Sequence, residues 1–206
     1  MNVIRWIFFD VGSTLVDETE AYNHRIRDAI AGTEITFEQF CEKRIFFQKQ
    51  NLKGDIEAMN FFGLKKTTWH TEDERLYLCT ADVLKELLRR GYKLGVIANQ
   101  SEGTARRLEK WGILSCFDVI AASAEEGVAK PDAEIFRRAL ERAGCRPENA
   151  AMVGDRLDND ISPAKSLGMK TVWIKQGMSV FCSPKNADET PDYTVSELSE
   201  LFEIFL

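Results

Sequence analysis

Near its N-terminus the sequence reads Phe8-Phe9-Asp10-Val11-Gly12-Ser13-Thr14-Leu15. A largely apolar run over residues 3–9 ends abruptly in the carboxylate of Asp10, and small residues follow it. Open α/β sheets build active sites in this way, because a buried strand delivers a polar side chain to its C-terminal end. A carboxylate in that position serves as a nucleophile or as a metal ligand.

Composition limits the class of protein. The chain has 206 residues, of which 44% are hydrophobic, and these proportions suit one globular domain or a core domain with a small insertion. A net charge of −6 gives no electrostatic reason to bind nucleic acid or an anionic membrane, so neither is an expected partner. No apolar stretch approaches the roughly 20 residues that span a bilayer. Arg5 lies within the first apolar run, which argues against a secretion signal.

The cysteines and histidines point to a cytoplasmic protein without a histidine-rich metal site. Five cysteines, an odd number, are widely spaced and form no Cys-x-x-Cys pair, as expected of reduced thiols in the cytoplasm. His24 and His70 are the only histidines. A Ser-His-Asp triad has no other support in the sequence.

Strands and helices alternate in most of the chain. Apolar segments predict strands at 3–9, 93–98, 117–121, 150–153 and 171–174, with helices between and after them. This alternation implies a parallel sheet with right-handed crossovers, covered on both faces. Residues 17–80 interrupt it with helical periodicity, including a predicted capping box at Thr36 and Gln39 and a helix end at Gly63. We therefore predict an α/β core domain of residues 1–16 and 81–206, with an inserted α-helical cap at 17–80.

Polar side chains follow three of the predicted strands, namely Asp10, Asn99 and Asp155. Because the carboxyl ends of parallel strands meet at one edge of a sheet, we expect these side chains to lie close together. Lys130, just before a predicted helix start, supplies a positive charge that lowers the pKa of a carboxylate nucleophile and neutralises phosphate. A Mg²⁺ ion held by Asp10, Asp155 and Asp160 would supply two more charges.

The glycine and serine after Asp10 fit a phosphate site. Small residues at Gly12 and Ser13 let backbone N–H groups approach a phosphoryl oxygen. The chemistry that these residues predict is an in-line attack of Asp10 on phosphorus, followed by hydrolysis of the aspartyl-phosphate.

Together these motifs resemble those of the haloacid dehalogenase-like superfamily over nearly the full chain. The family's first motif, DxDGT, corresponds to residues 10–14, its lysine to Lys130 in the segment 130–136, and its paired acids to the segment 154–160. The resemblance implies a Rossmann-like sheet of order 5-4-1-2-3 with a helical cap of the C1 type. It further implies that Asp10 is the nucleophile and that Asp10, the Gly12 carbonyl and Asp155 hold Mg²⁺. Asp160 would act through a water on the metal, and Lys130 would bind phosphate and orient Asp10.

Two positions depart from the family pattern. Phosphatases of the family carry a second Asp at the position of Gly12, where it protonates the leaving oxygen and then activates water. Since glycine has no proton to give, we expect a rate loss of about 10²–10⁴-fold. Ala98 stands where the family has a phosphate-binding hydroxyl, and we expect Asn99 and Ser101, near a predicted helix start, to compensate.

Alternatives stay open at this stage. One is a catalytically impaired relative that binds a phosphoryl ligand or a protein partner. Dehalogenase or phosphonatase chemistry on the same fold is another. A dehalogenase needs no Mg²⁺, and the acids at 155 and 160, which favour a metal, argue against it. A phosphonatase would use a cap lysine, and the cap offers Lys43, Lys49, Lys53, Lys65 and Lys66.

The substrate is expected to be a small phosphorylated molecule that the cap selects, while the oligomeric state stays open. Aromatic side chains of the cap either line a pocket or form the cap's own core, and they are Phe46, Phe47, Phe61, Phe62 and Trp69, together with His70. Asp17 or Glu18 is an alternative acid for Gly12, although an exposed first turn of the cap's first helix is the plainer interpretation.

Overall fold

The computed structural model describes residues 3–206 and divides them into two compact units. The core unit comprises residues 3–16, 76–176 and 184–206, and the helical unit comprises residues 17–75 and 177–183. Two segments therefore differ from the predicted domains. Residues 76–80 belong to the core unit, where the Tyr77 amide and the Thr80 hydroxyl both donate to the Leu15 carbonyl. Residues 177–183 belong to the helical unit, where the Asn51 amide donates to the Ser183 carbonyl at 2.7 Å.

A six-stranded sheet with parallel pairing throughout organises the core unit. Its strands are β1 (Trp6–Phe9), β4 (Lys93–Ala98), β5 (Val119–Ala122), β6 (Ala150–Gly154), β7 (Lys170–Ile174) and β8 (Tyr193–Val195), in the order β5-β4-β1-β6-β7-β8. The order confirms the implied 5-4-1-2-3 arrangement and adds β8 at one edge. A separate two-stranded sheet pairs β2 (Val16–Asp17) with β3 (Arg75–Leu76), where no strand was predicted.

Nine helices accompany the strands in the described residues. They are α1 (Thr19–Ile30), α2 (Phe37–Gln48), α3 (Gly54–Phe62), α4 (Thr80–Arg89), α5 (Thr104–Lys110), α6 (Ser123–Glu126), α7 (Ala133–Ala143), α8 (Ser162–Ser166) and α9 (Leu201–Ile204). Helix α6 is a single turn directly after β5. The predicted C-terminal helix is a 3₁₀ turn at Leu198–Glu200 followed by α9.

Both faces of the sheet are buried, as the uniformly apolar strands predict. Ile7 and Phe9 of β1 pack in one layer with Leu84 and Leu87 of α4, and Phe8 packs in the opposite layer with residues of α7. Gly95 of β4 leaves room for that layer, since a Cβ there would lie 2.5 Å from ring carbons of Phe8. This two-sided burial holds β1 at the centre of the sheet, and therefore fixes where its C-terminal end lies.

Helix starts follow the sequence signals in two cases and depart from them in one. Thr36 and Gln39 form the predicted capping box of α2, and Asp132 caps α7 by accepting from the Glu134 amide. Helix α5, however, begins at Thr104 and not near Ser101. Gly103 precedes it with φ +85°, and the carboxylate of Glu125 accepts from the amides of Gly103 and Thr104. A distant side chain thus supplies the cap, which local sequence does not reveal.

The helical unit has a small core of its own, formed by Ile26, Phe40, Ala58 and Met59. Of the cap aromatics, Phe47 and Phe62 pack against this core. Phe46 and Phe61 are more than half exposed. The Asp17 carboxylate accepts from the Thr19 amide at the start of α1, which agrees with the plainer interpretation of that residue.

No helix in residues 3–206 is both long and apolar enough to cross a membrane. All five cysteines are free thiols, as predicted.

Candidate active site

Asp10 is the first residue after β1, and its backbone is tied to the neighbouring strand. Its amide donates to the Val153 carbonyl of β6 at 2.9 Å, and the side chain is buried. The chain then folds into a tight loop, in which the amides of residues 13–16 all donate to the carbonyls of Val11 or Val16. The positive φ of the loop, +54°, belongs to Ser13 and not to Gly12.

Some amides of this loop donate within the loop, and others are left for a ligand. The Ser13 amide is taken by the Val16 carbonyl at 2.8 Å. Val11 and Gly12 belong to no helix or strand, and in residues 3–206 their amides donate to no backbone carbonyl. The donors beside Asp10 that a phosphoryl oxygen can meet are therefore those of Val11 and Gly12. Ser13 stays a predicted phosphate contact, but not through its backbone N–H in this arrangement.

Lys130 joins two of the predicted acids. Its Nζ donates to Asp10 Oδ1 at 2.6 Å, to Asp160 Oδ1 at 2.5 Å and to the Ile97 carbonyl at 2.8 Å. All three side chains are buried. An ammonium group with three acceptors is fully satisfied, so Lys130 holds both carboxylates in fixed positions. The contribution of Ile97 comes from its backbone, and no side-chain signal in the sequence could have indicated it.

Asn99, which follows β4, engages the backbone of Lys130 with both ends of its amide. Its Nδ2 donates to the Lys130 carbonyl, and its Oδ1 accepts from the Lys130 amide, each at 2.8 Å. The structure thus gives Asn99 a positioning contact that sequence reasoning missed. Its predicted contact with phosphate stays a prediction.

The end of β6 brings the remaining acids to the same edge. Asp155 follows Gly154 directly, and Asp160 lies one turn further on, where its Oδ2 accepts from the Arg156 amide at 2.9 Å. A Cβ at Gly154 would collide with the Asp160 carboxylate, so only glycine fits there. Asp158 is exposed and pairs with the Arg156 guanidinium through two contacts of 2.6 and 3.0 Å.

Burial and opposite charge compete in setting the pKa values of this site. Desolvation raises the pKa of Asp160 to about 6, against the lowering effect of Lys130. For Lys130, burial acts to lower the pKa, but the nearby carboxylates of Asp10 and Asp160 outweigh it, and the net pKa is raised. Lys130 is therefore a permanently charged group at neutral pH.

The three acids could hold a divalent metal ion. Oxygen atoms of Asp10, Asp155 and Asp160 lie within 4.8 Å of one another. Lys130 contacts Asp10 and Asp160, and Arg156 pairs with Asp158, so the four carboxylates at this edge exceed the two cationic side chains by two negative charges. An all-oxygen donor set is what Mg²⁺ prefers. The residues present therefore fit this ion, and the Gly12 carbonyl stays a predicted further ligand.

A second group of metal-ligating side chains lies in the helical unit, at His24, His70 and Asp73. The two imidazole rings stack face to face, with centroids 3.5 Å apart and planes 5° apart. The nitrogen lone pairs of stacked rings lie in two parallel planes, so they do not converge on one metal ion. Each ring instead forms a hydrogen bond with a carboxylate. His24 Nδ1 lies 2.8 Å from Asp73 Oδ2, and His70 Nε2 lies 2.8 Å from Asp28 Oδ2. The arrangement fits hydrogen bonding to carboxylates better than metal binding.

The remaining predicted phosphate ligands lie near the end of β4. Ala98 is buried and pairs with Ala122 in the sheet. Ser101 is exposed three residues before the start of α5, and its carbonyl accepts from Arg107 at 2.9 Å. Because Glu125 already caps α5, the expected anion site at that helix start is occupied by a side chain of the protein itself.

This chain is similar to known proteins over nearly its full length. A family model of haloacid dehalogenase-like hydrolases matches residues 4–168. The glyceraldehyde 3-phosphate phosphatase of Methanocaldococcus jannaschii is 34% identical over 98% of this chain and 97% of its own length. Pyrophosphatase PpaX of Bacillus velezensis is 28% identical over 96% of this chain and 94% of its own.

Solved structures support the fold. The crystal structure of a predicted phosphoglycolate phosphatase from Haemophilus somnus matches with a TM-score of 0.76 at 20% identity, and the match covers 100% of both chains. At this level of identity the likeness concerns the fold alone.

Proposed function

Because the chain belongs to the haloacid dehalogenase-like hydrolase family, we propose that it is a Mg²⁺-dependent phosphatase of a small phosphorylated metabolite and acts through an aspartyl-phosphate. The observation that carries this proposal is the buried junction at Lys130, whose Nζ contacts both Asp10 and Asp160. A nucleophile, a fixed positive charge and a set of metal-binding oxygens thereby share one edge of the sheet.

Asp10 is the residue that we assign to the attack on phosphorus. Because Lys130 engages Oδ1, we assign the attack to Oδ2. A bond forms between this oxygen and phosphorus while the bond from phosphorus to the leaving oxygen breaks. Water then hydrolyses the aspartyl-phosphate, which restores the carboxylate and releases inorganic phosphate.

The loop after Asp10 binds the transferring group, and Lys130 balances its charge. The ammonium group offsets the charge of the phosphoryl oxygens, and the amides of Val11 and Gly12 donate to them. Asp10, Asp155, Asp160 and the Gly12 carbonyl would hold Mg²⁺. When bound, the ion neutralises charge on the phosphoryl group and on the carboxylates that surround it.

Gly12 determines which substrates are turned over well. Without an acid at this position, the leaving oxygen must take its proton from solvent. Esters whose leaving group is already a weak base need no such proton. We therefore expect this protein to hydrolyse activated phosphomonoesters much faster than alkyl phosphates.

The names of the relatives supply the first substrates to try. Glyceraldehyde 3-phosphate and pyrophosphate are named for the two relatives given above. Both are small phosphorylated molecules, as is the substrate class proposed here.

The proposal is tested with an Asp10→Asn variant. Wild-type protein with Mg²⁺ should hydrolyse 4-nitrophenyl phosphate, and Asp10→Asn should lower kcat by about 10⁴-fold or more, as losses of catalytic nucleophiles do. Release of nitrophenolate is followed spectrophotometrically. Asp118→Asn, the same change at an exposed position of the core unit, is the matched control and should retain wild-type activity. Equal activity of Asp10→Asn and wild type would exclude Asp10 as the nucleophile.

A second candidate function follows from Gly12 alone. An impaired relative would bind phosphoryl ligands or a protein partner without turnover. Binding of Mg²⁺ and phosphate, together with no turnover of any phosphoester, would favour this function over the first.

A further inference from the structure

The peptide unit between Asp155 and Arg156 is hydrogen-bonded at both of its polar ends. Its carbonyl oxygen, on Asp155, accepts from the indole Nε1 of Trp173 at 2.7 Å. Its N–H, on Arg156, donates to Asp160 Oδ2 at 2.9 Å. Because a peptide unit is planar and rigid, a bond at one end restricts the direction of the bond at the other. Trp173 is therefore linked to Asp160 through a single peptide plane.

Trp173 is itself held in place by the sheet. It lies on β7, where it pairs with Gly154 of β6, the residue directly before Asp155. Only 3% of Trp173 is exposed, and a buried indole N–H needs an acceptor to replace the hydrogen bond that water would supply. The Asp155 carbonyl is that acceptor. The sheet thus fixes the ring, and the ring fixes the direction of the carbonyl.

The orientation of Asp160 depends on the same peptide unit. Its Oδ2 accepts from the Arg156 amide, and its Oδ1 accepts from Lys130 Nζ. Two donors on two different oxygens set the plane of the carboxylate. If the peptide unit rotates, the Arg156 N–H turns away, and Asp160 loses one of these donors.

The direction of the Asp155 side chain follows from backbone geometry. Gly154, as part of β6, fixes the backbone before the Cα of Asp155, and Trp173 fixes the carbonyl after it. Since Cα is tetrahedral, its two backbone bonds determine where Cβ points. One indole hydrogen bond therefore affects the positions of two carboxylates.

We infer that Trp173 is a positioning residue of the metal site. It holds one peptide unit and, through it, the carboxylates of Asp155 and Asp160, two of the three acids proposed to hold Mg²⁺. This role rests on the proposed function, which supplies the ion. Groups that orient metal ligands typically contribute about 10- to 100-fold to metal affinity.

Trp173→Phe tests this role, because it keeps an aromatic ring on β7 and removes the N–H. Mg²⁺ is titrated calorimetrically into the full chain, and its dissociation constant should rise by about 10- to 100-fold in the variant. Trp6→Phe is the matched control. Trp6 is 6% exposed, lies on β1 of the same sheet and stacks on Phe8, so its replacement should leave Mg²⁺ binding unchanged.

Amide hydrogen exchange separates positioning from a general loss of stability. In EDTA, the Arg156 amide should exchange about 10-fold faster in Trp173→Phe than in wild type, because its bond to Asp160 is loosened. The amides of β4 are the reference and should change less. If they accelerate as much as the Arg156 amide does, the variant only destabilises the fold, and the positioning role is wrong.

Wild type alone provides a measurement that does not depend on how the variant folds. In ¹⁵N NMR spectra, Mg²⁺ should shift the indole N–H resonance of Trp173, whose acceptor belongs to a metal-binding residue, and leave that of Trp6 unchanged. Wild type that binds no Mg²⁺ would contradict the proposed metal site and this role together. Wild type that binds Mg²⁺ no more tightly than Trp173→Phe would overturn the role of Trp173 alone.

Discussion

Asp10 and Gly12 differ in how completely the sequence predicts their roles. A carboxylate at the end of an apolar strand predicts a site, and the structure places it against Lys130 at 2.6 Å. Gly12 lies two residues further, in a loop whose positive φ belongs to Ser13. The φ of Gly12 lies outside the left-handed region, so the backbone conformation at position 12 does not require glycine.

Gly12→Asp should raise kcat for an unactivated alkyl phosphate by up to about 10²–10⁴-fold, because the new carboxyl group protonates the leaving oxygen. Phosphate release from glycerol 3-phosphate is the measurement. Gly12→Asn, which has the same shape without the proton, is the control and should give no gain. A folded Gly12→Asp variant that is no faster than wild type would mean that the defect lies elsewhere, for example at Ala98.

His70 is a residue of the helical unit whose pKa the structure shifts. Hydrogen bonds to the carboxylates of Asp28 and Glu72 raise the pKa of His70 above its ordinary value of 6.5. A raised folded-state pKa means that the stability gained from these contacts is fully present below the unfolded-state pKa. That stability is lost as pH rises through the folded-state value.

An NMR titration of the imidazole nitrogens checks this pH dependence. His70 should titrate above 6.5 in wild type. Asp28→Asn should lower this pKa, since it removes the hydrogen bond that raises it most. Asp118→Asn serves as a control that leaves the titration unchanged. A His70 that titrates at its ordinary value in wild type would contradict the hydrogen bonds at both of its nitrogens.

At the scale of elements, the end of β4 is connected to the segment before α7 through one side chain. Asn99 makes two hydrogen bonds of 2.8 Å to the Lys130 backbone, and Lys130 Nζ in turn reaches back to the Ile97 carbonyl of the same strand. The position of the ammonium group is therefore set by β4 as well as by the chain around Lys130.

Asn99→Ala should lower the free energy of unfolding by about 1 kcal/mol and kcat by about 10- to 100-fold, because Lys130 loses its positioning contact. Urea unfolding and steady-state kinetics measure the two effects. Asn99→Asp keeps the acceptor for the Lys130 amide and should lose less. If both variants instead weaken inhibition by inorganic phosphate with kcat unchanged, Asn99 contacts phosphate directly, as the sequence analysis predicts.

The elements that sequence patterns predicted well are those with a strong apolar period. All five predicted strands are present, since each is a run of buried side chains, and the capping box at Thr36 is an equally local signal. Strand β8 was missed because Tyr193 and Thr194 are exposed, which leaves only Val195 buried. Its pairing depends on partners far along the chain, such as the Lys175 amide on the Val195 carbonyl.

At the scale of the whole molecule, the charge of the site links metal binding to stability. Burial raises the pKa of Asp160 to about 6 without a metal. Ionisation of this group in the folded protein therefore costs stability as pH rises through that value. A divalent cation among Asp10, Asp155 and Asp160 removes that cost.

Mg²⁺ at about 100 times its dissociation constant should raise Tm by roughly 5–10 °C, which corresponds to about 2.7 kcal/mol. The increase should be larger above pH 6 than below it, since protons and the cation compete for Asp160. Differential scanning calorimetry with Mg²⁺ or EDTA gives both values. Asp155→Asn should reduce the increase, whereas Asp118→Asn should not, and an equal Tm with and without Mg²⁺ would contradict the metal site.

The sequence by itself determined the five apolar strands of the core, the acids and the lysine near the strand ends, and the absence of an acid at Gly12. These follow from local apolar runs and from motifs, which can be identified without knowing the tertiary contacts. Only the tertiary structure decided that Asn99 holds the backbone of Lys130, that Glu125 caps α5, and that Arg25 and Arg44 are buried in the helical unit. Each of these depends on contacts between residues distant in the chain or on the exclusion of water. A local sequence pattern indicates neither of the two.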